Sequence, residues 1–198
     1  MLKTAYQHQL LEAGCDEAGR GSFAGPVFAA AVILPEGFSH PLLNDSKQVT
    51  EENREELKAY IQEHALGFGV ASVDSQRIDQ INILQASLEA MHLAISQLRP
   101  APGLLLIDGN RFNPYPDIPH RCIVRGDAIY SSIAAASILA KTYRDAFMRQ
   151  LHDAYPVYGW DKNKGYGTAG HRKAIAAAGL CEYHRKSFQI IPKQLKIF

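Results

Sequence analysis

The chain has 198 residues, of which 46% are hydrophobic, and it is therefore long enough to bury a complete core. Its 21 basic and 20 acidic residues give a formal net charge of +1, which excludes the positive field that marks a nucleic-acid-binding protein by charge alone. Any such site must be local. We expect one domain over residues 1–198, with its core at about residues 10–190 and a short C-terminal tail.

The three cysteines, Cys15, Cys122 and Cys181, are odd in number and lack CxxC spacing, which argues against a disulfide framework and a structural zinc site. No apolar stretch reaches the ~18 residues that span a bilayer, and the N-terminal Met-Leu-Lys-Thr lacks an apolar signal core. These features favour a reduced, cytoplasmic enzyme without membrane association. In the absence of an oligomerisation signal, a monomer is expected.

The first half of the chain predicts three strands and a helix. Apolar runs at residues 10–16 and 27–34, separated by a glycine-containing turn, predict an antiparallel strand pair. Thr50 followed by two glutamates is typical of a capped helix start, and apolar spacing continues that helix to about residue 65. The alternation at residues 67–73 predicts a third strand.

The second half alternates between helices and strands. Apolar residues recur at steps of three and four from Ile81 to Leu98, which predicts a core helix. Residues 104–107 and 121–124 predict short strands, the first of them buried and parallel. An alanine-rich helix over about residues 128–151 and a shorter one over about residues 168–178 follow. This order predicts an α/β fold in which a mixed central sheet is flanked by helices, with a helical C-terminal segment.

Four acids lie at or near the ends of predicted strands: Asp16, Glu17, Asp108 and Asp127. In open α/β sheets this rim binds ligands. Neighbouring residues on a strand point to opposite faces, so Asp16 and Glu17 can serve one site only where the strand is ending. Carboxylates without Cys or His suit Mg²⁺ or Mn²⁺, and two such ions can promote phosphodiester cleavage. The alternative is capping, because Asp127 precedes a long helix.

A glycine-rich turn, Gly19-Arg20-Gly21, follows the first two acids. Its glycines permit a close backbone approach to a ligand, and Arg20 can form a forked contact with a phosphate. The alternative is an ordinary surface turn.

Basic residues cluster late in the chain, among glycines and aromatic residues. They are Lys162, Lys164, His171, Arg172, Lys173, His184, Arg185 and Lys186. Such a run usually marks a solvated face, although this composition also suits contact with nucleic acid.

Six motifs in chain order resemble bacterial ribonuclease HII. They are DEAGRG at residues 16–21, DSK at 45–47, IDG at 107–109, Asp127 with SSIAAASILAK at 131–141, GYGT at 165–168 and HRKSF at 184–188. The resemblance implies a ribonuclease H-like fold and endonucleolytic hydrolysis of the RNA strand of RNA–DNA hybrids. It also implies nicking on the 5′ side of a ribonucleotide embedded in duplex DNA, which leaves 3′-hydroxyl and 5′-phosphate ends. The matching catalytic, metal-binding acids are Asp16, Glu17, Asp108 and Asp127, with Mn²⁺ or Mg²⁺ as cofactor.

The resemblance also implies substrate contacts. The turn of Gly19, Arg20 and Gly21 touches the 2′-hydroxyl, the group that distinguishes RNA from DNA. Tyr166 stacks on the sugar of the next deoxynucleotide, unless it is a partly buried core tyrosine.

Two lysines, Lys47 and Lys141, are candidates for phosphate neutralisation, and both are equally compatible with solvated surface positions. Asp145 is expected to be the i, i+4 partner of Lys141 on a helix. His184 and Arg185 suit either packing with Phe188 or substrate contact.

The C-terminal residues 193–198 are apolar enough either to engage a replication or repair partner or to pack back onto the domain. Three other classes remain open: another two-metal nuclease on this fold, a nucleic-acid-binding module without activity, and a small-molecule phosphatase.

Overall fold

The structure is a computed structural model that describes residues 2–7, 9–43 and 49–190. Within these ranges, strands form a single five-stranded sheet and are numbered β1 Glu12–Ala18, β2 Val27–Ile33, β3 Gly67–Val73, β4 Leu104–Asp108 and β5 His120–Ile123. Their spatial order is β3-β2-β1-β4-β5. β2 pairs antiparallel with β1 and β3, whereas β4 pairs parallel with β1 and β5, which confirms the mixed sheet.

The helices are α1 Glu51–His64, α2 Ser75–Ile95, α3 Ser131–Ala154, the one-turn α4 Trp160–Asn163 and α5 Ala169–Ala178. As predicted, Thr50 caps α1, and its hydroxyl accepts from the Asn53 N–H at 3.3 Å. α2 consists of two helical segments that join at Asn82, whose backbone is not helical, with φ 67° and ψ 163°. Asp74 caps the first segment, which begins before the apolar stripe, and the Asn82 side chain accepts from the N–H groups of Leu84 and Gln85. α3 begins later than predicted because residues 126–128 form a separate short 3-10 turn. α4 and α5 confirm the helical C-terminal segment.

Helices cover both faces of the sheet. α2 packs on the face that carries Cys15 and Ile107, whereas α1 and α3 pack on the opposite face, which carries Ala30. Gly14 lets α3 approach the middle strand closely, because a Cβ at this position would lie 2.2 Å from the carbonyl carbon of Ser132. Every helix in the described ranges is too short or too polar to traverse a lipid bilayer.

Candidate active site

Two of the predicted acids lie on neighbouring parallel strands. The pairing of β1 with β4 ends at Cys15 and Ile107, so Asp16 and Asp108 are the next residue on each strand. Because side chains alternate along a strand, both acids share the face of Leu106, which packs against α3. The two carboxylates therefore flank the point at which parallel pairing stops.

Asp16 is buried, with 5% of its surface exposed. Burial raises the pKa of Asp16 well above its usual range, and the charges of Glu17 and Asp108 raise it further. Hydrogen bonds from Ser137 and from the Glu17 N–H, at 2.7 Å, oppose that effect. A buried carboxylate beside two others gains strongly from a cation, because both its desolvation and the mutual repulsion are relieved.

Glu17 precedes the last residue of β1 and points to the opposite face of the sheet, as the alternation predicts. Burial raises its pKa, and the nearby Arg20 opposes the shift. The Arg20 Nη1 donates to the Glu17 Oε1 at 3.0 Å. Glu17 and Asp108 line one polar cavity together with Arg20 and Arg111, a residue that the sequence motifs did not indicate.

Asp127 lies in the short 3-10 turn after β5 and is buried, with 5% exposure. The N–H of the preceding Gly126 donates to the Asp108 Oδ1 at 2.7 Å, which ties this turn to the end of β4. The alternative role of Asp127 as the cap of α3 is wrong, because Tyr130 occupies the N-cap position without a side-chain hydrogen bond.

These residues fit a divalent cation by their chemistry, because they offer buried, mutually repelling oxygen donors. In the described parts of the chain, no three acidic, imidazole or thiol side chains stand close enough together to hold a metal. Asp16 and Glu17 point to opposite faces of the sheet, and Glu17 contacts Arg20. Metal binding by all four acids stays a prediction that requires side-chain movement.

The Gly19-Arg20-Gly21 turn rests on two fully buried arginines, Arg144 and Arg185. Gly19 has φ +95°, and a Cβ there would lie 2.0 Å from the Arg144 Nε. No atom lies within 4 Å of a Cβ built at Gly21. Gly19 is therefore required by packing, whereas Gly21 faces open space.

Tyr166 is half-buried and forms an isolated antiparallel bridge with Ser22, directly after the glycine turn. The Arg144 guanidinium lies 5.3 Å from the centre of the tyrosine ring. A Cβ at Gly165 would lie 2.5 Å from the Ala24 carbonyl oxygen, and Gly167 is similarly close to a neighbouring ring. Close packing thus requires the flanking glycines, so they do not by themselves indicate that Tyr166 contacts substrate.

A buried hydrogen-bond chain links the C-terminal segment to Tyr166. The Cys181 N–H donates to the His184 Nδ1 at 3.0 Å, and the His184 Nε2 lies 3.2 Å from the His171 Nε2. His171 Nε2 accepts from Trp160 at 3.1 Å, and His171 Nδ1 contacts the Tyr166 carbonyl at 3.0 Å. These partners require one proton on each ring, at His184 Nε2 and His171 Nδ1.

Known proteins match this chain over nearly its whole length. The family model described as Ribonuclease HII matches residues 13–191. The chain belongs to the ribonuclease HII family. The ribonuclease HII of Bacteroides thetaiotaomicron is 58% identical over 191 residues, which cover 96% of this chain and 96% of that relative.

Solved structures share the fold. The ribonuclease H2 from Pyrococcus horikoshii OT3 has a TM-score of 0.74 at 24% identity, covering 90% of this chain and 94% of that one. A chain in the PCNA:RNase HII complex from Archaeoglobus fulgidus has a TM-score of 0.72 at 24% identity, covering 96% of this chain and 100% of that one. Family membership makes the protein a metal-dependent endoribonuclease that acts on RNA–DNA hybrids.

Of the two lysines in the ribonuclease HII motifs, Lys141 lies on α3 and Lys47 lies outside the described residues. Lys141 Nζ contacts the two carboxylate oxygens of Asp145 at 2.5 and 2.6 Å, which confirms the predicted i, i+4 pair. Asp145 is 2% exposed, and an Arg54 nitrogen lies 3.6 Å from it. The charge of Lys141 thus pairs with the buried Asp145 carboxylate, and the contact of Lys141 with a phosphate stays a prediction.

Proposed function

We propose that this ribonuclease nicks duplex DNA on the 5′ side of an embedded ribonucleotide, leaving 3′-hydroxyl and 5′-phosphate ends. Asp16, Glu17, Asp108 and Asp127 would hold two divalent ions, Mn²⁺ or Mg²⁺. When bound, such ions activate a water and stabilise the leaving oxygen. The observation that carries this proposal is the buried Asp16 carboxylate, whose pKa is raised by burial and by two neighbouring acids.

Arg20 has two uses in this proposal. Without a metal it neutralises Glu17, to which it donates at 3.0 Å. Its side chain is 51% exposed, so it can turn outward once Glu17 binds a cation. The guanidinium is then available to a substrate phosphate, for which its fork geometry is suited.

Recognition of the ribonucleotide falls to the glycine turn and to Tyr166. The open space at Gly21 admits a substrate strand close to the backbone. Tyr166 lies beside this turn through its bridge to Ser22, so its ring can contact the sugar that follows the ribonucleotide. Lys47 and Lys141 are proposed to neutralise phosphates farther along the duplex.

The test is cleavage of a labelled DNA duplex that carries one ribonucleotide, beside an all-DNA duplex and an RNA–DNA hybrid, with Mn²⁺, with Mg²⁺ and without metal. We expect metal-dependent nicking only where a ribonucleotide is present. Asp16→Asn and Asp108→Asn should abolish cleavage while circular dichroism and hybrid binding are retained, because removing one of several repelling acids seldom unfolds a protein. Cleavage of the all-DNA duplex would favour a general nuclease instead.

We further propose that residues 193–198, outside the described ranges, engage a replication or repair partner. Support comes from the Archaeoglobus fulgidus relative, whose structure was solved in complex with PCNA. A variant ending at residue 192 should lose binding to a purified PCNA-type protein while cleaving free duplex at an unchanged rate. Unchanged binding by that variant would exclude the tail as the contact.

A further inference from the structure

The glycine turn is a β-turn whose central peptide has two possible orientations. The Ser22 N–H donates to the Gly19 carbonyl at 3.3 Å, so Arg20 and Gly21 are the central residues. Flipping the peptide between them converts a type I turn into a type II turn, which needs a positive φ at the third residue. Glycine accepts both values of φ. The sequence Arg20-Gly21 therefore leaves the direction of this peptide undecided.

Arg185 selects one of the two orientations. Its Nη1 donates to the Arg20 carbonyl at 2.9 Å, and its Nε donates to the Gly25 carbonyl at 3.0 Å. Its own backbone N–H donates to the Phe23 carbonyl at 2.8 Å, which fixes the base of the side chain. Gly21 does not have a positive φ, so the turn is not of type II.

The direction of the Gly21 N–H follows from this contact. In a trans peptide the C=O and N–H point in opposite directions. Because the Arg20 carbonyl points inward to the buried Arg185, the N–H of Gly21 points away from Arg185. A Cβ at Gly21 would also meet no atom within 4 Å, so the surroundings of this residue are open. A flip would exchange the two groups and present a carbonyl oxygen to the substrate.

We propose that Arg185 is a positioning residue that holds the Gly21 N–H toward the substrate's 2′-hydroxyl and so supports the preference for ribonucleotides. This rests on the proposed function, in which the turn contacts that hydroxyl. A hydroxyl oxygen accepts from an N–H, whereas a deoxyribose offers no such acceptor at this position. Burial and the charge of Arg144 lower the pKa of Arg185 to about 9, so it remains a donor at neutral pH.

Loss of its hydrogen bond to the Arg20 carbonyl would also leave Arg185 with fewer hydrogen-bond partners. The Nη2 of Arg185 is already buried without a hydrogen-bond partner. A flipped peptide would deprive Nη1 of its acceptor as well, leaving two nitrogens of a buried charged group unsatisfied. The inward orientation of the Arg20 carbonyl is therefore strongly favoured while Arg185 is present.

Arg144 provides a matched control, because it is as fully buried as Arg185 and also binds backbone carbonyls. Its acceptors lie outside the central peptide of the turn, namely in Ala24, Pro26 and Lys164. Truncating either arginine should lower stability. Only truncation of Arg185 should release the Arg20–Gly21 peptide.

The experiment measures binding in EDTA of two DNA duplexes that differ by a single 2′-hydroxyl. The readout is the Kd of the all-DNA duplex divided by that of the ribonucleotide duplex. For Arg185→Gln we expect this ratio to fall about five- to ten-fold, the effect of one lost hydrogen bond. Arg144→Gln should keep the ratio. Arg185→Lys serves as a second variant, since lysine keeps the charge but not the fork that reaches two carbonyls.

The outcomes separate this proposal from the proposed function. If the unaltered chain binds the two duplexes with equal Kd, the proposed contact between the turn and the 2′-hydroxyl is contradicted. A preference that survives in folded Arg185→Gln and Arg185→Lys, or that falls equally in Arg144→Gln, would overturn the positioning role.

Discussion

Alanine substitutions at Gly19 and Gly21 separate the packing requirement of the turn from its contact with substrate. The two glycines belong to the same β-turn, yet their surroundings differ. At Gly19, where φ is +95°, a Cβ would lie 2.0 Å from Nε and 2.5 Å from Cδ of the buried Arg144. At Gly21 the backbone has no positive φ and the Cβ would meet no atom within 4 Å.

The expected cost of Gly19→Ala has two parts. The positive φ costs about 1–2 kcal/mol for a residue with a Cβ. Displacing Arg144, which donates to three backbone carbonyls, costs about 1–3 kcal/mol more because buried acceptors lose their donor. The free energy of unfolding should therefore fall by about 2–5 kcal/mol. For Gly21→Ala it should stay unchanged or rise by up to about 1 kcal/mol, because alanine restricts the unfolded chain.

Urea unfolding followed by circular dichroism measures both differences, and cleavage of an RNA–DNA hybrid is assayed on the same preparations. Gly21→Ala should be as stable as the unaltered chain but bind and cleave the hybrid less, because its methyl group enters the space that the substrate approaches. Equal stability of the two variants would refute the packing argument. Undiminished cleavage by Gly21→Ala would remove Gly21 from the substrate contact.

Two further substitutions test ionisable side chains in buried surroundings. Burial and the neighbouring His171 lower the pKa of His184 to about 4 from 6.5, so the unfolded chain binds protons more readily. The free energy of unfolding should therefore fall, by at most about 3 kcal/mol, as the pH drops from 6.5 towards 4. In urea titrations over this pH range, the free energy of unfolding of His184→Gln should depend less on pH than that of the unaltered chain. Lys141→Met should destabilise the chain by about 1–3 kcal/mol, because Asp145 loses its closest cation; lost hybrid binding at unchanged stability would instead support phosphate contact.

Most of the fold could be predicted from the sequence, because the apolar runs are short, well separated and bounded by glycine or proline. The strand predicted at residues 67–73 has the observed bounds, and the capped start of α1 at Thr50 is confirmed. The apolar stripe from Ile81 predicted the helical segment that follows the kink at Asn82, whereas the preceding segment from Ser75 was missed because it opens with polar residues. The separate turn at residues 126–128 was missed because its sequence is compatible with a helix start.

The candidate site was predictable only where it depends on strand order. The buried run that ends in Asp108 was expected to be a parallel strand, and its pairing with β1 places Asp16 beside it. The ion pair between Arg20 and Glu17 depends on side-chain directions that the spacing does not encode. The four acids are likewise not close enough together in this structure to hold a metal ion, and their spacing depends on side-chain directions.

Arg185 belongs to the late basic cluster, and the sequence did not predict that it contacts the Gly19-Arg20-Gly21 turn. A charged run usually marks a solvated face, yet Arg185 is fully buried, and it contacts residues at the other end of the chain. The contact with Arg20 joins residues 165 positions apart, a separation that no local pattern reveals.

The net charge of +1 gives no sign of a positively charged surface for nucleic acid, yet two arginines, Arg144 and Arg185, are buried beneath the glycine turn. Within the described ranges, neither Arg144 nor Arg185 forms an ion pair with a carboxylate; their donors instead bind uncharged carbonyls. Both charges therefore lie beneath the glycine turn without a carboxylate of the described residues in direct contact, in a medium that screens them less than water does. The overall composition therefore does not reveal the two cations that lie beneath the turn proposed to contact the substrate.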